Sequence, residues 1–304
     1  MSADSLHYEY VQAGALRFEV ATAGDPASEK LALLLHGFPE CAFSWRHQIG
    51  FLAARGFRVW APNQRGYGNS AMPRGVRAYR IEELVGDVAN LIDAWRAASP
   101  HAKAVHLAGH DWGAMVAWEL AMRRPRPIER LAIFNVPHPA LFREALRTNR
   151  AQRRRSLYVA FFQLPWLPEW LLRRRGAAAI GDAFRGMAVD KSRFPDDVLA
   201  VYRANALRPG GLTAMLNWYR AAGRRFGEPA AAPPKIDVPT LMVWGEEDRA
   251  LGKELTFGTD AHVSELTLRY LPGVSHWVQQ EAPERVNEIW SAWLDGREVP
   301  GNCA

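Results

Sequence analysis

Asp111 stands in the run Gly109-His110-Asp111-Trp112-Gly113, directly after the apolar stretch Ala104–Ala108 and before Ala114–Ala121, which reads as an apolar-rich helix. The predicted order is strand, sharp turn, helix. The two glycines let the backbone take a strained, positive-φ turn and let strand and helix pack closely, which projects the central side chain into a cleft. A serine in such a turn attacks carbonyls, whereas a carboxylate can displace at saturated carbon. The other reading of the segment is a βα turn whose aspartate only caps the helix.

Three further segments carry groups that such a carboxylate would need. The strand candidate Leu31–Leu35 runs into His36-Gly37-Phe38-Pro39. In a turn of this kind an oxyanion is held by the backbone N–H of that loop and of the residue after the nucleophile, here Phe38 and Trp112. The Phe38-Pro39 peptide is a candidate for the cis form. Thr240–Trp244 ends in Gly245-Glu246-Glu247-Asp248, so acidic side chains follow the carboxyl end of a strand. Asp248 is the candidate to orient an imidazole, with Glu246 and Glu247 as competitors. His276, in Pro272-Gly273-Val274-Ser275-His276-Trp277, is the candidate general base. Nucleophile, acid and histidine then follow one another in the hydrolase order.

The elements that must position these groups alternate along the chain. Strand candidates are Leu16–Ala21, Leu31–Leu35, Phe57–Ala61, Ala104–Leu107, Leu131–Asn135, Thr240–Trp244 and Leu266–Tyr270, and helical stretches include Ile81–Ala98, Met115–Arg123 and Glu284–Leu294. The fold class is therefore α/β, with a mainly parallel central sheet covered by helices on both faces. From about Pro137 to Pro234 the rhythm breaks into helical patterns with no convincing strand, bounded by Asn135-Val136-Pro137-His138-Pro139 and by Gly227–Pro234. This predicts a core of residues 1–137 and 235–304 with an all-helical cap inserted at 138–234.

Composition narrows the rest. The chain has 304 residues, 48% hydrophobic and 23% charged, which is ordinary globular material. The N-terminus lacks a basic region followed by an apolar stretch, and no membrane-length apolar run occurs, so a non-exported, cytoplasmic protein without a membrane span is expected. Cys41 and Cys303 are the only cysteines and neither lies in a metal-ligand pattern, so neither a disulfide framework nor a metal site is indicated. The net charge of +6 owes much to Arg147, Arg150, Arg153, Arg154, Arg155, Arg173, Arg174 and Arg175. No nucleic-acid recognition motif accompanies them, and Arg147-x-x-Arg150-x-x-Arg153 has the spacing of a solvated helix face.

The blocks His36–Glu40, Gln64-Arg65-Gly66-Tyr67-Gly68-Asn69-Ser70, Gly109–Gly113, Trp244–Asp248 and Gly273–Trp277 resemble, in order and over nearly the whole chain, those of the α/β-hydrolase superfamily, and within it the epoxide hydrolases with an aspartate nucleophile. The resemblance extends to Tyr158-Val159-Ala160-Phe161-Phe162-Gln163-Leu164-Pro165 and Leu216-Asn217-Trp218-Tyr219-Arg220. It implies that Tyr158 and Tyr219 donate hydrogen bonds to an epoxide oxygen, that the substrate is a small apolar epoxide, and that no cofactor is required. Phe161, Phe162, Trp166, Trp170 and Trp218 would then line the underside of the cap, with ordinary packing as their other reading. Haloalkane or haloacid dehalogenation shares the aspartate and histidine but needs halide donors in place of the tyrosines. A hydrolase-fold ligand-binding protein without catalysis is the alternative from another class. The absence of Gly-x-Ser-x-Gly disfavours a serine esterase.

Overall fold

A computed structural model describes residues 6–224 and 233–301. Cys303 and most of the 227–234 linker lie outside the described residues. Eight strands, β1 (His7–Ala13), β2 (Leu16–Ala23), β3 (Lys30–Leu35), β4 (Arg58–Pro62), β5 (Ala104–His110), β6 (Arg130–Phe134), β7 (Thr240–Gly245) and β8 (Leu266–Leu271), form one sheet in the order β1-β2-β4-β3-β5-β6-β7-β8. β1 and β2 pair antiparallel with each other, as do β2 and β4, and every other pairing is parallel. The expected α/β class and mainly parallel sheet hold.

Every residue of β4, β5 and β7 is buried, as strands covered on both faces must be. On one face α1 (Arg46–Ala53), α10 (Val278–Glu281) and α11 (Pro283–Leu294) pack Leu52, Val278 and Trp290 against the sheet. On the other, α2 (Ile81–Ala98) and α3 (Trp112–Arg123) contribute Val88, Trp95 and Trp118. β1 is not among the strand candidates of the sequence; it is a half-exposed edge strand whose outward residues include Tyr8, Tyr10 and Gln12.

Between β6 and β7 the named elements among the described residues are α4 (Pro139–Thr148), α5 (Arg150–Arg155), α6 (Leu157–Phe162), α7 (Leu167–Met187), α8 (Asp196–Leu207) and α9 (Gly211–Gly223), with a short 3-10 turn at Lys191–Arg193 and an isolated bridge from Ile236 to Val263 just before β7. Arg147, Arg150 and Arg153 do not share one continuous helix, contrary to their spacing. Asn149 ends α4 in an extended conformation and its side chain caps α5 by accepting from the Ala151 and Gln152 N–H groups. α7 is itself broken by left-handed residues at Arg175, Gly176 and Ala177.

Candidate active site

The strand-turn-helix around Asp111 is as tight as its sequence implies. Asp111 has φ 48° and ψ −123°, a conformation that L residues adopt only under constraint. A Cβ on Gly113 would stand 2.2 Å from the Leu35 carbonyl oxygen, and one on Gly37 would stand 2.3 Å from the Asp111 Cβ. Only glycine allows these three segments to approach so closely.

The two Asp111 oxygens face different partners. Oδ1 accepts a hydrogen bond from the Phe38 N–H at 2.7 Å, while Oδ2 lies 3.6 Å from His276 Nε2. The Phe38–Pro39 peptide preceding this turn is cis. Trp112 opens α3 beside it. On the far side of the imidazole, His276 Nδ1 lies 2.6 Å from Asp248 Oδ2. Asp248 follows β7 and is locked in place: its Oδ1 accepts from the Ala250 and Leu251 N–H groups at 2.8 and 2.9 Å, and its Oδ2 accepts from Asn135 Nδ2 at 2.9 Å. Of its competitors, Glu246 is paired with Lys253 and Glu247 is exposed.

Electrostatics follow from this arrangement. Burial alone would lower the His276 pKa, but the charges of Asp248 and Asp111 outweigh it and push it up to about 10. Burial likewise works against the Asp248 carboxylate, yet the imidazolium and the Asn135 and Leu251 donors hold its pKa below the usual range. Asp111, His276 and Asp248 are thus brought together as a carboxylate, imidazolium and carboxylate in line.

Tyr219 on α9 and Tyr158 on α6 meet above Asp111, their rings 5.9 Å apart and at 75°. Tyr219 packs edge-on against Phe38 at 5.2 Å and Trp112 at 5.1 Å, so it touches both segments that flank the carboxylate. Tyr158 is 41% exposed as a whole residue, and its hydroxyl hydrogen-bonds with Tyr219; burial and the Asp111 charge raise the pKa of both phenols. Phe162 is buried against Tyr158, Tyr219 and Phe38, and the half-buried Phe161 backs it. Trp218 is buried with its ring 5.8 Å from Trp112, and its indole N–H donates to the Arg65 carbonyl. Trp166 and Trp170 do not line the site: they are 82% and 56% exposed. The positive φ of Trp166 and the inward turn of Pro168 at the start of α7 send both indoles outward.

The residues that sequence reasoning missed lie one layer behind. Asn135, at the end of β6 with φ 49°, donates to Asp248 and accepts from the Gly245 N–H, tying β6 to β7 under the acid. Glu40 is fully buried and accepts from the Gly37 N–H, Gln279 and Gln280, with His110 Nδ1 at 2.7 Å. Despite burial, His110, the Gly37 N–H and the nearby His36 pull its pKa down to about 2. The other His110 nitrogen lies 2.8 Å from the His276 carbonyl oxygen, so the loops that carry Phe38, Asp111 and His276 share one polar anchor. Both stand within segments already singled out, Asn135 in Asn135–Pro139 and Glu40 in His36–Glu40, but their roles depend on partners far away in the chain.

A family model for the alpha/beta hydrolase family matches residues 32–289. The AB hydrolase superfamily protein YfhM of Bacillus subtilis (strain 168) is 38% identical over 291 residues, covering 96% of this chain and 99% of that one. Epoxide hydrolase A of Mycobacterium tuberculosis is 33% identical, covering 95% and 97% of the two chains. Among solved structures, a Bacillus megaterium epoxide hydrolase in complex with an inhibitor superposes with a TM-score of 0.83 at 28% identity, over 94% of this chain and all of that one.

Proposed function

Because this chain belongs to the alpha/beta hydrolase family and, within it, to the epoxide hydrolases, we propose that it opens a small apolar epoxide to a vicinal diol through an ester formed on Asp111. The observation that carries this reading is the two-sided setting of Asp111, with the Phe38 N–H on one oxygen and the His276–Asp248 pair on the other, beneath two phenols. In our reading the helices α4–α9 form a cap (138–234) over a core of residues 1–137 and 235–304, and the phenols come from the cap while the carboxylate comes from the core.

In the first step an Asp111 oxygen forms a bond to an epoxide carbon as the ring C–O bond breaks, and the freed oxygen takes a proton from Tyr158 or Tyr219. Hydrogen bonds that strengthen as this oxygen gains charge lower the barrier. Esterification cancels the Asp111 charge, which until then raised both the phenol and the imidazole pKa values. The phenol becomes a better acid as it must donate, and His276, left with one carboxylate in place of two, gives its extra proton to the tyrosinate, which restores the phenol and leaves a neutral imidazole able to accept a proton. Water then adds to the Asp111 carbonyl carbon and gives its proton to His276, while the N–H groups of Phe38 and Trp112 hold the tetrahedral oxyanion. Collapse breaks the ester C–O bond, His276 protonates the departing diol, and the carboxylic proton left on Asp111 returns to His276, restoring the carboxylate and the imidazolium. Every proton is accounted for without a cofactor.

The test is single-turnover reaction in heavy-oxygen water followed by mass spectrometry of the Asp111 peptide. Label in Asp111 is expected, and its absence after diol formation would mean that water attacks the epoxide directly. His276→Gln is expected to accumulate the Asp111 ester, since general-base action is worth on the order of 10² to 10⁴ in rate. Asp111→Ala that retains near-normal turnover would sink the covalent mechanism.

A further inference from the structure

The start of α7 is turned inside out. Its acidic residue, Glu169, points inward and is bidentate with Arg220, at 2.7 and 3.0 Å, whereas Leu167, Trp170 and Leu171, at i, i+3 and i+4, face solvent. Trp166 just before the helix is 82% exposed, and Leu157 and Leu164 extend the same stretch of chain at 66% and 44%. A folded protein does not normally leave so many large apolar side chains in one short segment uncovered. Charge is concentrated in the same part of the chain. Residues 139–175 carry nine arginines and only two acidic residues, Glu144 and Glu169, so their excess of positive charge surpasses the +6 of the whole chain and leaves the remainder near neutral. All nine arginines are exposed. Arg173, Arg174 and Arg175 end the apolar turn, and the Arg174 guanidinium lies 4.6 Å from the centre of the Trp170 ring.

Indoles and leucines facing outward, bordered by guanidinium groups, match the two layers of an anionic bilayer surface: an acyl boundary that accepts apolar and aromatic side chains, and phosphate oxygens that accept from arginine. A nucleic acid would use the arginines but gives no role to Leu157, Leu164, Leu167 and Leu171. A second copy of this chain would bring the same positive charge against itself. We infer that the outward face of α6 and the start of α7, with its flanking arginines, is a peripheral docking surface for an anionic lipid bilayer. No helix among the described residues is long and apolar enough to cross a membrane, and this docking requires none. It is also independent of the chemistry proposed for Asp111.

Flotation of the full chain with vesicles tests it, using equal parts phosphatidylcholine and phosphatidylglycerol, or phosphatidylcholine alone. Binding to the anionic vesicles is expected to exceed binding to the neutral ones by about tenfold and to be lost near 1 M salt, where the screening length falls to about 3 Å. Trp166→Ser with Trp170→Ser, and separately Arg173→Ser with Arg174→Ser and Arg175→Ser, should each lower the bound fraction at least about fivefold while leaving the circular dichroism and unfolding temperature as in the parent chain. Failure of the parent chain to float with anionic vesicles overturns the proposal. So does loss of binding in the arginine variant with full retention in the tryptophan variant, which would describe a general polyanion site, checked with duplex DNA. A dimer in sedimentation that the tryptophan variant converts to monomer, without vesicle binding, would reassign the face to self-association.

Discussion

His276 is shared by two carboxylates, and that competition sets its titration. Its pKa in the folded protein is about 10, above the 6.5 of an unperturbed histidine, so the imidazolium is bound more tightly in the folded chain than in the unfolded one. The stability this contributes is fully present below pH 6.5 and is lost as pH rises through about 10. The stability difference between the parent chain and His276→Gln is therefore expected to shrink from pH 7 to pH 10.5 in thermal unfolding, and Asp248→Asn is expected to lower the histidine pKa measured by NMR. A His276 signal titrating near 6.5 in the parent chain would contradict the arrangement. At this scale the sequence exposed what the chemistry needs and hid what holds it. Asp111, Asp248 and His276 each follow a strand in a glycine-marked turn. Asn135 bears no such mark, because its role arises only when β6 and β7 lie side by side, 110 residues apart in sequence.

Among the elements, the β3, β5 and α3 junction leaves almost no room. A methyl on Gly113 would meet the Leu35 carbonyl at 2.2 Å, and because its three nearest atoms are all backbone of Leu35 and His36, no rotamer change relieves it. Gly113→Ala is expected to cost about 3 kcal/mol or more, at the upper end of overpacking substitutions, and to displace Asp111 with loss of turnover. Gly86, inside α2, has nothing within 4 Å of its would-be Cβ, so Gly86→Ala should instead stabilise by about 0.5–1 kcal/mol. Denaturant unfolding of the two variants checks both signs, and equal effects would refute the packing account. The glycines of the turn could be read in the sequence because motif and steric need coincide there. The apolar rows that form the core strands were equally plain, and α2 runs over the residues its periodicity marked. Where the structure departed from expectation, tertiary surroundings decided: Asn149 cut an arginine row into two helices, and the inverted start of α7 turned Trp166 and Trp170 away from the site.

For the molecule as a whole, Glu40 is the point where the layers meet. Its carboxylate joins the β3 loop, His110 at the end of β5 and the glutamines of α10, and its carbonyl accepts from Asn205 on α8, within the inserted helices. Gln280 in turn accepts from Arg46 at 2.7 Å and from the Tyr202 hydroxyl of α8 at 2.6 Å. Sheet, site loops and insertion are therefore coupled through one buried anion, which a reading of separate motifs could not reveal because its partners span the chain from Gly37 to Gln280. Although burial opposes it, His110, the Gly37 N–H and His36 hold the Glu40 pKa at about 2, below the ordinary 4.5, so the stability it contributes is present above pH 4.5 and is lost as pH falls toward 2. Glu40→Gln, which turns an amide N–H toward existing donors, should be less stable than the parent chain at pH 7, with the gap closing as pH falls from 4.5 to 2. Because the anchor reaches both the sheet and α8, the gap should be the same whether unfolding is followed by far-ultraviolet dichroism or by tryptophan fluorescence. Two separated transitions in the variant, one for the insertion and one for the sheet, would show that the coupling runs elsewhere.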